Sequence, residues 1–383
     1  MKSQIRISRS ALIHNIQTIR HVLPERTKIM AVVKANAYGH GLELVAKTLE
    51  PYTDAFAVYH FETAQELLDY TNKPILILGG VMGLGEAIFA VQENLECAVY
   101  QAEQFSLLQE ASRTVGKPAR IHFSTTTGLN REGLSFKAFR ELFATAMNQP
   151  DFFVIKGVYS HFANIEDTSD PSYAKAQIEI FREKFVDYAS RYVRADTIDF
   201  HLSSTAGVMV YEQHHSGHAW HHQMVRPGLD LYGLYPSKQL ELEYRPKGFV
   251  LRPVLTLSSH VRNVFDIKAG ESVGYGLTYT ATRDTRCATI PLGYSDGIFR
   301  KFSNVGKVLI NGEFCPVIGR QAMNITVFDV SHLPNVQIGD EVVFIGSQGD
   351  RRISAEYLAD LFGTINYEIV TALDRSLPRI LVD

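Results

Sequence analysis

Lys34 ends an uninterrupted apolar run and opens a glycine turn, in the segment Lys28-Ile-Met-Ala-Val-Val-Lys34-Ala-Asn-Ala-Tyr38-Gly-His-Gly41. An amine at the tip of a buried strand loses hydration, which lowers its pKa and leaves it a nucleophile toward an aldehyde. Four more apolar runs end in groups that can bind or move charge. They lead into Thr127-Gly-Leu-Asn-Arg131, Ser160-His161, Ser203-Ser204-Thr205 and Val225-Arg226-Pro-Gly228-Leu229. A single strand-end histidine or lysine is ordinarily structural; five such ends on one rim argue for a site.

The elements must bring these ends together. Eight short apolar runs occupy the first 235 residues: Lys28–Lys34, Ala55–Tyr59, Pro74–Gly79, Glu96–Tyr100, Arg120–Ser124, Ile155–His161, Thr197–Ser203 and Met224–Leu234. Helical spacing fills most gaps, at Leu42–Leu49, Glu62–Tyr70, Ala102–Thr114, Phe136–Met147 and Ser172–Tyr192. Eight strand–helix alternations predict a (β/α)8 TIM-like barrel, with function at the strand C-terminal ends. No GxGxxG follows an early strand, which disfavours an open dinucleotide-binding sheet. After Pro236 the pattern changes to short β runs separated by Asn311-Gly312, Gly339-Asp340 and Gly349-Asp350 turns, with one helix near Ser354–Phe362 capped by Ser354. The expectation is α/β plus β: a barrel over 1–238, to which the extreme N-terminus need not belong, and a mainly-β domain over 239–383.

Composition narrows the function. The 383 residues are 45% hydrophobic and 21% charged with net charge −3, as in a soluble globular protein with no bias toward nucleic acid or an anionic membrane. No 18-residue apolar stretch predicts a membrane span, and the N-terminus lacks an apolar signal core. Cys97, Cys287 and Cys315 are too few and too scattered for a disulfide framework, so a reducing cytoplasm fits.

Thr205, Gly228 and Tyr38 can offer hydroxyls and backbone N–H groups to a phosphate. Arg226 can face a ring nitrogen, and His161 can stack on the ring. With an aldehyde carried on Lys34, the set describes pyridoxal 5'-phosphate.

The segment Ala31-Val-Val-Lys34-Ala-Asn-Ala-Tyr38-Gly-His-Gly41 resembles the cofactor-attachment motif of alanine racemases, which are fold-type III pyridoxal-phosphate enzymes. Further matches are Thr127-Gly-Leu-Asn-Arg131, Ser160-His161, Arg226-x-Gly228-x-x-x-Tyr232-Gly, Ser272-Val-Gly-Tyr275-Gly-x-Thr-Tyr279, Gly319-Arg320-x-x-Met323 and Thr364-Ile-Asn-Tyr367. The resemblance implies a homodimer racemising a small amino acid, alanine first, for peptidoglycan; serine, lysine or broad specificity is the alternative on the same fold. It makes Lys34 and the partner-borne Tyr275 the two bases. It gives cofactor contacts to Tyr38, His161, Ser204, Thr205, Arg226, Gly228, Leu229 and Tyr367, with His161 linking Arg226 to Tyr275. Arg131 and the Met323 backbone would hold the substrate carboxylate.

Racemisation removes a proton from one face of a flat carbon and returns one to the other, so it needs two opposed bases. Tyrosine, with an ordinary pKa of about 10, serves only where nearby cations favour its phenolate. Arginine stays protonated, so Arg226 should donate a hydrogen bond, not a proton, to the ring.

The chain also departs from the family. Ser124 stands where many relatives have a carbamylated lysine that orients the arginine, Thr126 where aspartate is common, Ser204 where asparagine is usual and Asn324 where aspartate is usual. Arg131 would then be oriented by hydroxyls of its own segment or by a bound anion. The cluster His214-His215-x-x-His218-x-x-His221-His222 reads as a solvated loop, and no metal site is expected.

Overall fold

The computed structural model describes residues 3–192, 197–212 and 223–383. The chain divides into two compact units, residues 11–37 with 45–252, and residues 1–10 with 38–44 and 253–383.

The first unit carries eight parallel strands, six lying inside one of the eight apolar runs and two, Ala119–Ser124 and Phe153–Tyr159, starting one and two residues before theirs. In chain order they are Lys28–Val32, Ala55–Val58, Ile75–Ile77, Glu96–Val99, Ala119–Ser124, Phe153–Tyr159, Asp199–His201 and Met224–Val225. Neighbours pair in sequence order, and the eighth strand pairs with the first. Between the seventh and eighth, a parallel bridge joins Ser204 to Arg226, and the Arg226 N–H donates to Ser203 O at 2.9 Å. Two residues of the candidate site thus nearly complete the ring. Covered on both faces, the short strands are almost wholly buried, which is why they read as apolar runs rather than alternating ones. Helices Ala102–Val115 and Phe136–Met147 pack through Phe105, Phe139 and Phe143 onto Phe123 of the fifth strand.

The expected domain boundary after residue 238 moves to Arg252. The charged stretch that follows residue 237 is a helix, Lys238–Tyr244, that belongs to the barrel unit. It buries Leu240 and Tyr244, and Gln239 donates to Thr168 O at 3.1 Å.

In the second unit, one sheet orders Glu313–Pro316, Lys307–Ile310, Glu341–Gln348, Leu255–His260, Gln4–Ser8 and Arg379–Val382. Gln4–Ser8 runs antiparallel to Leu255–His260 and parallel to Arg379–Val382. A three-stranded sheet joins Asn263–Ile267, Thr285–Ile290 and Thr326–Asp329. Ser354 caps helix Ala355–Phe362, accepting the Tyr357 N–H at 3.1 Å. Among the described residues, no helix is long and apolar enough to cross a membrane.

Candidate active site

Immediately after the first barrel strand the backbone turns left-handed. Ala35, Asn36, Ala37 and Tyr38 all have φ between 51° and 55°. Such a turn costs about 1–2 kcal/mol per residue outside glycine, and strain of this kind concentrates where a side chain must be aimed. The Ala37 N–H donates to Val33 O at 2.9 Å, and His40 Nδ1 lies 2.8 Å from Tyr38 O. In the second unit, Gly39 (φ 81°) is required outright, because a Cβ there would collide with the Val370 carbonyl. Arg379 anchors the Gly39 carbonyl at 3.1 and 3.2 Å.

Lys34 leads this turn. Burial, and after it the Arg131 guanidinium, lower its pKa; Glu132 acts the other way. Arg131, His161, Arg226 and Glu132 line one pocket of the barrel unit, with Glu132 the only carboxylate among its lining residues. His161 is pushed down to about 3, by burial and then by Arg226, Arg131 and Lys34, so it stays neutral. Glu132 accepts the Tyr59 hydroxyl at 2.5 Å, a bond that heads the causes pushing Tyr59 up to about 12. The pocket therefore carries excess positive charge and suits an anionic ligand.

Arg131 stands near the apex of a closed loop. The Leu134 N–H donates to Ser124 O at 2.8 Å and the Thr126 N–H to Leu134 O at 3.1 Å. Thr127 Oγ1 and Ser160 Oγ lie 2.8 Å apart, and Ser160 Oγ donates to Thr125 O at 2.7 Å. The expected hydroxyl partners of Arg131 point elsewhere. Thr126 bonds Asn130 at 3.3 Å, and the Ser124 hydroxyl acts on Tyr159, easing the rise that burial causes in its pKa. The loop that carries Arg131 is closed by backbone bonds between Ser124, Thr126 and Leu134.

Arg226 is buried and heads a chain of polar groups through the barrel core. Its Nη1 lies 2.6 Å from His201 Nδ1, His201 Nε2 lies 3.0 Å from His122 Nδ1, and His122 Nε2 lies 2.8 Å from Glu96 Oε2. An arginine can only donate and a carboxylate only accept, so every bond runs one way with both imidazoles neutral. Burial and then Arg226 hold the His201 pKa well below its ordinary value, in keeping with this. Arg226 Nη2 also donates to Ser160 O at 2.7 Å, and its guanidinium lies 5.0 Å from the centre of the Tyr159 ring. Burial lowers its pKa to about 10, still a cation at neutral pH.

Among the described residues the hydrogen-bond partner of the Arg226 guanidinium on an imidazole is His201, which leads inward to Glu96. Glu96, His122, Tyr159, Glu132 and Asp230 were not singled out by sequence. The available signal was a charged or imidazole group inside an apolar run, Glu96-Cys-Ala-Val and Arg120-Ile-His122-Phe.

Thr205 opens the helical turn after the seventh strand, behind Ser204. It accepts the Gly228 N–H at 3.0 Å and donates to Asp230 at 2.8 Å. Leu229 is buried beside them in the turn Leu229–Tyr232. In the second unit, the Tyr38 and Tyr367 rings lie 6.2 Å apart. Tyr275 is 73% exposed on a turn between Gly274 and Gly276, both at positive φ. Met323 is also exposed; its carbonyl accepts the Ser295 N–H at 3.0 Å and hydroxyl at 2.9 Å. The histidines of the cluster from His214 to His222 lie outside the described residues.

The alanine racemase N-terminal domain family matches residues 7–236, and the alanine racemase C-terminal domain family matches residues 254–381. Alanine racemase 2 of Caldanaerobacter subterraneus subsp. tengcongensis is 33% identical, over 99% of this chain and 95% of its own. Alanine racemase of Methanococcus maripaludis is 35% identical, over 98% and 97%. Among solved structures, alanine racemase from Streptomyces coelicolor A3(2) superposes with a TM-score of 0.90 at 30% identity, over 100% of this chain and 98% of that one. Alanine racemase from Bacillus anthracis with bound L-Ala-P gives 0.88 at 29% identity, over 100% and 95%. With both family domains matched along its length, the chain belongs to the alanine racemase family of isomerases.

Proposed function

We propose that the chain is a pyridoxal-phosphate-dependent alanine racemase, active as a homodimer in the cytoplasm and supplying D-alanine for peptidoglycan. The observation that carries this reading is Lys34: a lysine at a barrel-strand tip, its ammonium form disfavoured by burial and by Arg131, beside a pocket with excess positive charge. The donor set fits the cofactor. Lys34 offers an amine, Arg226 a permanent cationic donor, Thr205, Gly228 and Leu229 a hydroxyl and backbone turn for phosphate, and Ser204 the position ahead of them. The family resemblance adds Tyr38 and Tyr367 to the phosphate and His161 to the ring. Once bound, the cofactor would acidify the α-C–H of an amino acid joined to it.

The chain's own residues do the rest. Arg131 binds the substrate carboxylate as a charge-assisted pair, with the Met323 N–H as a second donor. Lys34 Nζ takes the α-proton on one face or returns it there. Tyr275 Oη, from the partner subunit, does the same on the opposite face. Arg226 stays protonated and orients the ring by a hydrogen bond, its charge answered by Glu96 through two neutral histidines.

Two measurements test this. A panel of L-amino acids is assayed for conversion to the D-form; turnover of another amino acid in preference to alanine would replace the substrate and keep the mechanism. Lys34→Ala and Tyr275→Phe, each inactive alone, are mixed; returning activity supports a shared site, and none after verified subunit exchange rejects it.

A further inference from the structure

Asp230 is fully buried in the turn that follows the eighth barrel strand. Its Oδ1 accepts the Thr205 hydroxyl at 2.8 Å and the Leu231 N–H at 3.1 Å. Its Oδ2 has no hydrogen-bond partner among the described residues. Thr205 Oγ1 also accepts the Gly228 N–H at 3.0 Å. A hydroxyl has one proton and two acceptor positions, and an ionised carboxylate only accepts. While Asp230 is ionised it holds the one Thr205 proton, and Gly228 spends its N–H on Thr205. Neither group then donates to an anion, although both belong to the residues assigned to phosphate. An ionised Asp230 would also place a second negative charge one hydroxyl away from a bound phosphate, in a desolvated setting.

A protonated Asp230 reverses this arrangement. Its O–H donates to Thr205 Oγ1, the second acceptor position keeps the Gly228 N–H, and the Thr205 proton is released toward the ligand. We propose that Asp230 is a positioning residue for phosphate, taking up one proton from solvent when a phosphate group binds at Thr205 and so turning the Thr205 hydroxyl toward it. The proposal rests on the cofactor reading above.

The surroundings agree. Burial pushes the Asp230 carboxyl up to about 7, eased chiefly by the Thr205 hydroxyl and the Leu231 N–H. No charged side chain among the described residues acts on it from the strand-end helix or from its own turn. The titratable neighbour in that turn, Tyr232, donates its hydroxyl to Val32 O at 3.0 Å.

The test titrates the full-length apoprotein with pyridoxal phosphate and, separately, with pyridoxal, which lacks the phosphate. Calorimetry at about pH 8 in two buffers of different ionisation enthalpy counts the protons exchanged. The wild type should take up about one more proton with pyridoxal phosphate than with pyridoxal, and Asp230→Asn should show no such excess. The ratio of the two affinities should fall about tenfold per pH unit above the Asp230 pKa in the wild type and stay flat in Asp230→Asn. The holo-minus-apo infrared spectrum of the wild type should gain a protonated-carboxyl band, a readout that does not depend on the variant folding. Equal proton counts for the two ligands, no such band, or an excess proton retained in Asp230→Asn overturns the proposal. If pyridoxal phosphate binds without the proton, Asp230 alone is misassigned; if neither ligand binds, the cofactor reading falls with it.

Discussion

The imidazoles of His122 and His201 meet at 3.0 Å across a barrel strand that runs between their own. They can do so because residue 157, on that middle strand, is glycine. A Cβ at 157 would collide with His122 Nδ1 and lie 2.7 Å from the Asp199 carbonyl. The pairing register also shifts between Ile121 and His122. Through this gap the Arg226 guanidinium is tied to the Glu96 carboxylate by two neutral rings, which answers a buried cation without placing an anion beside the cofactor site.

Gly157→Ala should therefore cost about 1–3 kcal/mol, the ordinary range for overpacking a core. Gly85→Ala is the control. Gly85 lies in helix Leu84–Gln92, and a Cβ there would meet nothing within 4 Å, so alanine should stabilise by about 0.4–1 kcal/mol. Denaturant unfolding of both variants checks the pair. A Gly157→Ala protein as stable as wild type would show that the histidines meet by another route.

Acid should destabilise the fold through its neutral histidines. The His161 pKa is about 3 in the folded chain, and His201 is lowered as well. Unfolded histidine titrates at about 6.5. Below that value the unfolded chain holds more protons, so this stability is present above about 6.5 and is lost as pH falls toward the folded values. His161 keeps part of its surface in water, which makes its share smaller than the formal shift. Asp230 has the opposite sign: its raised pKa favours the fold at low pH and is lost as pH rises through about 7. Melting temperatures between neutrality and mild acid should fall in the wild type, less steeply in His161→Gln and more steeply in Asp230→Asn. An identical slope in all three would reject the assignment.

Ser124→Ala should leave the KM for substrate unchanged. Ser124 serves the Arg131 loop through its carbonyl, which accepts the Leu134 N–H, and alanine keeps that carbonyl. Its hydroxyl acts on Tyr159, so the loss should be no more than that of one neutral hydrogen bond, about 0.5–1.5 kcal/mol of stability. A raised KM at constant stability would restore the hydroxyl as an orienting group for Arg131.

The barrel was legible because its eight strands are apolar on both faces and its helices keep their period. Leu42–Leu49 and Phe136–Met147 form helices over the residues their spacing predicts. The left-handed turn at Ala35–Tyr38 was not legible, since alanine and tyrosine give no local signal for positive φ. Nor was the helix Lys238–Tyr244, whose charges disguise two buried apolar positions. At the site, strand ends pointed to Lys34 and Arg226. The partners that answer the Arg226 charge sit inside the strands and pair across the ring, over separations of 26 and 79 residues for His122 with Glu96 and His201. A one-dimensional reading has no means to register such pairs.

Glu132 and Arg131 should tune Lys34 in opposite directions. Burial and Arg131 lower the Lys34 pKa, while Glu132 raises it. Glu132→Gln keeps a hydrogen-bond partner for Tyr59 but removes the charge, so the Lys34 pKa should fall further and the amine should be neutral down to lower pH. Tyr59 should drop from about 12 at the same time, since the Glu132 charge adds to that rise and is lost while a bond partner remains. Arg131→Gln should move Lys34 the other way. The measurement is the pH dependence of aldehyde capture by the full-length apoprotein, with Lys34→Ala as the blank. Half-points should shift to lower pH in Glu132→Gln and to higher pH in Arg131→Gln. Parallel shifts would mean that the two variants act through the loop's structure, and that the charges beside Lys34 do not set its reactivity.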